Sequence, residues 1–225
     1  MHVLHVDESA AFGVGPQQSA AHRAALQASV TACGVADAPL ILPVADAMAA
    51  AEEAEAAGPS GREARLQPLL AAVGDVTGRE DLVSHLRHRL LASTAARLGC
   101  TKLLLGSSAN TLAARVISEV SKGRGFALPS EIALWDAREG SASPVVLQPL
   151  REVSAKECAV LCHARRVPLA PLPHVAQHAK RSINQLSQAL IEGLQGGLPS
   201  TIFTVLKTAG SLNDFPWNDP SSSSA

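Results

Sequence analysis

Residues 100–125 constrain the fold more than any other stretch, because they read in order as a strand, a glycine turn, a helix and a basic exit loop. The apolar run Leu103, Leu104 and Leu105 suits a strand buried on both faces, the usual state of a strand in a parallel sheet. Gly106 permits a tight turn beside a ligand. Ser107, Ser108 or Asn110 is placed to cap the helix that follows, and the free N–H groups at a helix start attract anions. Such joints occur in most doubly wound α/β proteins, so the segment predicts an architecture before it predicts a ligand.

The flanking sequence carries the same alternation. Residues 1–7 read as a strand, 19–33 as a helix and 39–44 as a second strand, which is the unit of a parallel sheet. Leu82, Leu86, Leu90 and Leu91 carry a helix from Gly78 to Leu98, and Gly99 stops it. A strand is expected at 144–147 and a helix at 155–165, where Ser154 caps and Glu157 completes a capping box. A last helix is expected at 179–194. Residues 45–61 are rich in Ala and Glu and end in a Gly-Pro-Ser-Gly breaker, which reads as an exposed helix or mobile insertion. Residues 211–225 read as a disordered tail. The expected fold is therefore α/β, a parallel sheet flanked by helices, in one domain over 1–210. With 3% aromatic residues and no tyrosine, its core must be built from Leu, Val and Ala.

A formal net charge of -1 argues against nucleic-acid binding by bulk charge and leaves only local basic patches. The candidates are Arg87 and Arg89, in the neighbourhood of His85, His88 and Arg97, and Lys122 and Arg124 on the loop after the central helix. Cys33, Cys100, Cys158 and Cys162 form no Cys-x-x-Cys pair and read as thiols of a reducing compartment. Cys158, Cys162 and His163 lack a second closely spaced pair, so no metal site is expected. No stretch is apolar for long enough to span a bilayer, and the cytosol is the simplest location. Asn110 stands where a nucleophile elbow needs glycine, and neither a P-loop nor Gly-x-Gly-x-x-Gly occurs.

Four segments read together go further: Leu105-Gly106-Ser107-Ser108, Ser121-Lys122-Gly123-Arg124-Gly125, Gln148-Pro149-Leu150-Arg151-Glu152, and residues 198–208 with their Pro199-Ser200-Thr201 joint and Lys207-Thr208 pair. They resemble the cytoplasmic tRNA 2-thiolation protein 2 family across about residues 2–210. The resemblance implies a PP-loop, or adenine nucleotide α-hydrolase-like, Rossmann-like fold. It also implies a partner, cytoplasmic tRNA 2-thiolation protein 1, in a heterodimer that installs sulfur at C2 of the wobble uridine of lysine, glutamine and glutamate tRNAs. The sulfur comes from a thiocarboxylated ubiquitin-related modifier, and the product is 5-methoxycarbonylmethyl-2-thiouridine. On this reading Arg87, Arg89, Lys122 and Arg124 contact tRNA, while Asp7, Gly106, Ser107 and Ser108 mark a vestigial nucleotide site.

Three departures from the pattern of active relatives point away from catalysis. The Ser-Gly-Gly-x-Asp-Ser phosphate loop and first strand that should precede residue 1 are missing, as in a truncated form. The slots of the Cys-x-x-Cys pair fall near Glu80 and Val83, and residues 166–173 offer no later cysteine. The Gly-His-Asn-x-x-Asp motif is reduced to Gly106-Ser107-Ser108-Ala109-Asn110-Thr111. The expectation is a non-catalytic subunit with no cofactor and no metal. Two rivals stay open: a sulfurtransferase using one of the four cysteines, and a nucleotide-binding regulatory module of the same fold without RNA.

Overall fold

A computed structural model describes residues 1–48, 59–137, 143–170, 181–198 and 200–212. The chain divides into two compact units, Met1–Leu91 with Val160–Lys180, and Ala92–Ala159 with Arg181–Ala225.

In the first unit, strand β1 (Leu4–Asp7) pairs in parallel with β2 (Leu40–Pro43), with Leu4 opposite Leu40 and Asp7 opposite Pro43. Helix α1 (Pro16–Ala32) is the crossover that a parallel pair requires. Its first position is proline, whose missing N–H costs nothing there. After β2 a 3-10 helix (Val44–Met48) buries Val44, Ala45 and Ala47. Helices α2 (Pro59–Ala72) and α3 (Val76–Arg97) follow. Asp75 accepts the N–H of Gly78 at 2.6 Å, which starts α3 two residues before the expected Gly78. Gly99, at φ 69°, follows the end of α3 as the sequence predicts. Leu42, Val44, Leu66, Leu70, Val83, Leu86 and Leu90 form the buried apolar cluster with the two alanines.

The Ala/Glu-rich stretch is corrected here. Residues 45–48 are not an exposed insertion, because Ala45 and Ala47 lie inside this cluster. Small side chains let the turn after β2 press onto α2 without leaving a void. The Gly-Pro-Ser-Gly sequence, read as a breaker, opens α2 instead: Pro59 is its first residue. The remainder of the stretch, 49–58, lies outside the described residues, as do 213–225 of the expected tail.

In the second unit, β3 (Lys102–Leu104) pairs in parallel with β5 (Val145–Leu147), and the short β4 (Trp135–Asp136) joins β5 antiparallel, giving the order β3-β5-β4. Two residues carry no periodicity, so β4 had no legible signal in the sequence. Helix α4 (Ala109–Ser121) follows β3, α5 (Leu128–Glu131) precedes β4, and α6 (Ala155–Ala164) follows β5. Two helices then replace the one expected at 179–194: α7 (Ile183–Gly197), capped by Ser182, and α8 (Ser200–Gly210). The β-branched content of α8 weakens its local helix preference, and burial of Ile202, Leu206 and Ala209 on one face overrides it. These three pack with Leu112, Ala113, Val116, Leu128, Ile132 and Ile191 in the core. Among the described residues no helix is long and apolar enough to cross a membrane.

Candidate functional site

The turn from β3 into α4 takes the form that the sequence predicts, with the cap chosen from three candidates. Ser108 is the N-cap, in extended backbone conformation, and its Oγ accepts the Thr111 N–H at 3.4 Å. The Ala109 N–H donates to Val153 O at 2.9 Å, and Leu112 N–H to Ser108 O at 3.0 Å. The N–H groups of Ala109 and Thr111, which a bound anion would use, are thus engaged by the protein itself. Gly106 does not adopt a left-handed conformation, and a Cβ added to it meets no described atom within 4 Å. Its backbone is one that other residues adopt, so the tight-turn reason for a glycine does not hold here.

Asn110, considered as a cap, has a different task. It is 9% exposed, its Nδ2 donates to Gln195 Oε1 at 2.9 Å, and its Oδ1 accepts the Ala155 N–H at 2.8 Å. One amide therefore ties the start of α4 to α7 and to the first residue of α6. The same end of α6 carries the expected capping box: Ser154 N–H donates to Glu157 Oε2 at 2.7 Å, and Glu157 N–H to Ser154 Oγ at 3.2 Å. Hydrogen bonds to the Glu157 carboxylate from Ser154 Oγ, at 2.7 Å, and from the Ser154 N–H hold it below its ordinary pKa.

The joint after β5 folds back on the β3 turn through Leu105 N–H, which donates to Leu147 O at 2.8 Å. Gln148 is buried, and its Nε2 donates to Glu131 O at 2.7 Å and Ala133 O at 3.2 Å. Among the described residues, Arg151 Nε is buried with no hydrogen-bond partner. Sequence reasoning quoted Arg151 only as part of a motif and assigned it no role.

Asp7 closes β1 in the first unit. Its carboxylate accepts Ser9 N–H at 2.9 Å and Ser19 Oγ at 3.0 Å, with Arg23 Nε at 3.9 Å. Partial burial alone would raise its pKa, and the hydrogen bonds from Ser9 and Ser19, with the Arg23 charge, outweigh burial and hold it below the usual carboxylate value. Beside it, Arg87 on α3 pairs with Glu8 through both guanidinium Nε and Nη2. Arg89 is exposed on the same helix.

Lys122, expected on the basic loop after the central helix, is turned inward. Its side chain is 6% exposed, and Nζ lies 2.6 Å from Glu119 Oε1 and 3.2 Å from Asn184 Oδ1. Asn184 also accepts from Ser118 Oγ, so Lys122 helps lock the end of α4 to the start of α7. Arg124 is exposed on the loop that Lys122 anchors. Asp7, Arg87 and Arg89 belong to the first unit, and Gly106, Ser107, Ser108, Lys122 and Arg124 to the second.

No family model matches the chain. It is 36% identical over 159 residues to the cytoplasmic tRNA 2-thiolation protein 2 of Oryza sativa subsp. indica, over 69% of this chain and 32% of that protein. It is 36% identical over 154 residues to the protein of the same description from Arabidopsis thaliana, over 68% of this chain and 32% of that one. The Danio rerio relative is 29% identical over 150 residues, or 66% and 30% of the two chains. The chain spans about a third of the length of these curated relatives. Among solved structures it is similar to the U34-tRNA thiolase NcsA from Methanococcus maripaludis with its [4Fe-4S] cluster, with a TM-score of 0.61 and 12% identity over 94% of this chain and 62% of that one. The likeness establishes the fold, a Rossmann-like α/β arrangement. The present donor set does not fit such a cluster, which needs several thiolates converging on one point. Cys33 is exposed after α1, Cys100 precedes β3, and Cys158 and Cys162 lie half-buried along α6. Among the described residues no three His, Cys, Asp or Glu side chains converge on one point.

Proposed function

We propose, on the premise that the chain is a homologue of the cytoplasmic tRNA 2-thiolation protein 2 family, that it acts in the cytoplasm as a non-catalytic subunit of a tRNA 2-thiolation complex. Its partner is cytoplasmic tRNA 2-thiolation protein 1, its RNA is tRNA carrying a wobble uridine, and the sulfur comes from a thiocarboxylated ubiquitin-related modifier. The observation that supports a non-catalytic role is the state of the α4 N-terminus. Val153 O and Ser108 Oγ hold two of the N–H groups that an anion at this helix start would use, those of Ala109 and Thr111, and the Asn110 side chain is committed to Gln195 and Ala155. On this reading the fold is kept for pairing and for placing RNA. Arg87, Arg89 and Arg124 supply phosphate contacts, and Lys122 orders the loop that carries Arg124.

Co-expression with cytoplasmic tRNA 2-thiolation protein 1 tests this directly. A one-to-one complex that restores 2-thiouridine to deficient tRNA is expected, and the chain in which Cys33, Cys100, Cys158 and Cys162 are all serine should restore it as well. Loss of sulfur transfer in a folded serine variant would turn the assignment to a cysteine-dependent sulfurtransferase. Arg89→Ala and Arg124→Ala should each lower tRNA affinity and reduce the salt slope by about one. Unchanged binding in both would sink the RNA assignment.

A further inference from the structure

Helix α1 is attached to the first unit in an unusual way. Its buried residues are Ser19 and His22, both polar. Among the described residues, none from α1 belongs to the buried apolar cluster of this unit or to the half-buried apolar residues packed on it. The contact with β1 is instead made by polar side chains in register. His5 and Asp7 are alternate residues of the strand and so share a face. Ser19, His22 and Arg23 are spaced to share a face of the helix. Ser19 Oγ donates to Asp7 at 3.0 Å, Arg23 Nε lies 3.9 Å from the same carboxylate, and the His5 and His22 rings stack tilted with centroids 5.3 Å apart.

We propose that this polar seam is a proton-sensitive attachment, so that mild acidification frees α1 from β1 while the apolar cluster of the same unit stays closed.

The charges around the pair set the direction. Asp7 and Glu8 are balanced by Arg23 and Arg87 at neutral pH. Protonating His5 puts a further cation into the seam, half-buried, 5.3 Å from the His22 ring and within the field of Arg87, where a charge is poorly tolerated. His5 is accordingly held below the ordinary histidine value of 6.5, first by burial and then by His22, with Arg87 acting in the same sense and Asp7 opposing them. A depressed histidine binds its proton more readily in the detached or unfolded state. The stability of the seam is therefore complete above about pH 6.5 and falls as the pH drops below it. Away from the seam α1 also meets the chain at Pro168, whose carbonyl accepts from Ser29 Oγ. That contact does not titrate.

Hydrogen exchange of the full chain, corrected for the intrinsic pH dependence of exchange, tests the proposal. From about pH 7.5 to about pH 5.5, protection across Pro16–Ala32 is expected to fall roughly tenfold, with at most about a twofold change across Pro59–Ala72. In His22→Gln, which removes the second cause of the His5 depression and leaves burial in place, the acid-induced loss in α1 should shrink without vanishing. Equal loss in the two helices, or no loss in α1, would overturn the seam as an independent switch. Should His22→Gln fail to fold, the His5 ring titration followed by NMR in the unmodified chain decides the matter. A midpoint below 6.5 that tracks α1 exchange supports it, and a midpoint at or above 6.5 refutes it.

Discussion

Helices α1 and α4 occupy equivalent places in their units, each following a strand of a parallel pair, yet they are held by different forces. Helix α1 turns Ser19 and His22 inward and meets β1 through a carboxylate, a guanidinium and two imidazoles. Helix α4 buries Ala109, Leu112, Ala113 and Val116 in a core shared with α7 and α8, and places its buried polar residues, Asn110 and Ser118, against specific amide partners. Apolar burial is non-directional and does not depend on pH over this range. A charged seam depends on both geometry and protonation. The contrast teaches that two helices of like length and connectivity can differ in how they respond to the same change of conditions.

The largest effect that separates them is a paired truncation. Leu112→Ala should cost about 3 kcal/mol, because Leu112 is fully buried among atoms that cannot all close the cavity. Leu26→Ala, at a half-buried position of the largely exposed α1 and outside its unit's apolar cluster, should cost about 1 kcal/mol or less. Urea denaturation measures both, and equal losses would erase the distinction. Next comes Asn110→Ala, expected at about 2 kcal/mol since it leaves the Ala155 N–H and the Gln195 amide without their partner. A near-neutral result in thermal melts would mean that the amide clamp holds nothing.

A smaller effect tests the charged side of the contrast. Asp7→Asn should destabilise the first unit at neutral pH, because it removes the charge that the Ser9 and Ser19 hydrogen bonds and Arg23 favour. The carboxyl pKa is depressed in the folded protein, so the stability it supplies is present above the ordinary carboxylate value and lost as pH falls through the lower folded value. The gap between wild type and Asp7→Asn should therefore close in acid, and a gap that persists there would assign the effect to shape and not charge. Smallest of all is Gly106→Ala. With open space and an ordinary backbone at that position, its melting free energy should lie within about 0.5 kcal/mol of the parent. A large loss would show that the turn moves through a conformation only glycine permits.

Much of this framework was legible before any coordinates. The order of β1, α1, β2, α3, β3, α4, β5 and α6 follows from apolar runs and short-range punctuation, while α2, α5 and β4 were not foreseen, and Gly99, Ser108 and the Ser154–Glu157 box end or start helices through atoms within a few residues of one another. Such signals need no tertiary partner, which is why a single sequence carries them. The candidate site was legible only in part. Ser108 emerged as one cap among three candidates, while the clamping role of Asn110 depends on Gln195, 85 positions away, and left no trace in local spacing.

The sequence by itself determined much of the alternation of elements, the helix ends marked by Gly99, Ser108 and Ser154, and the resemblance to a tRNA-thiolation family, because each rests on residue type and near neighbours. Only the tertiary structure decided that Lys122 is turned to Glu119 and Asn184, that Ala45 and Ala47 are core, that 200–210 is helical, and that α1 rests on paired histidines and a carboxylate. The reason is physical. Burial and ion pairing depend on which distant atoms come to share a volume, and the energies of those encounters exceed local preferences of a few tenths of a kcal/mol, as a rough scale, per residue.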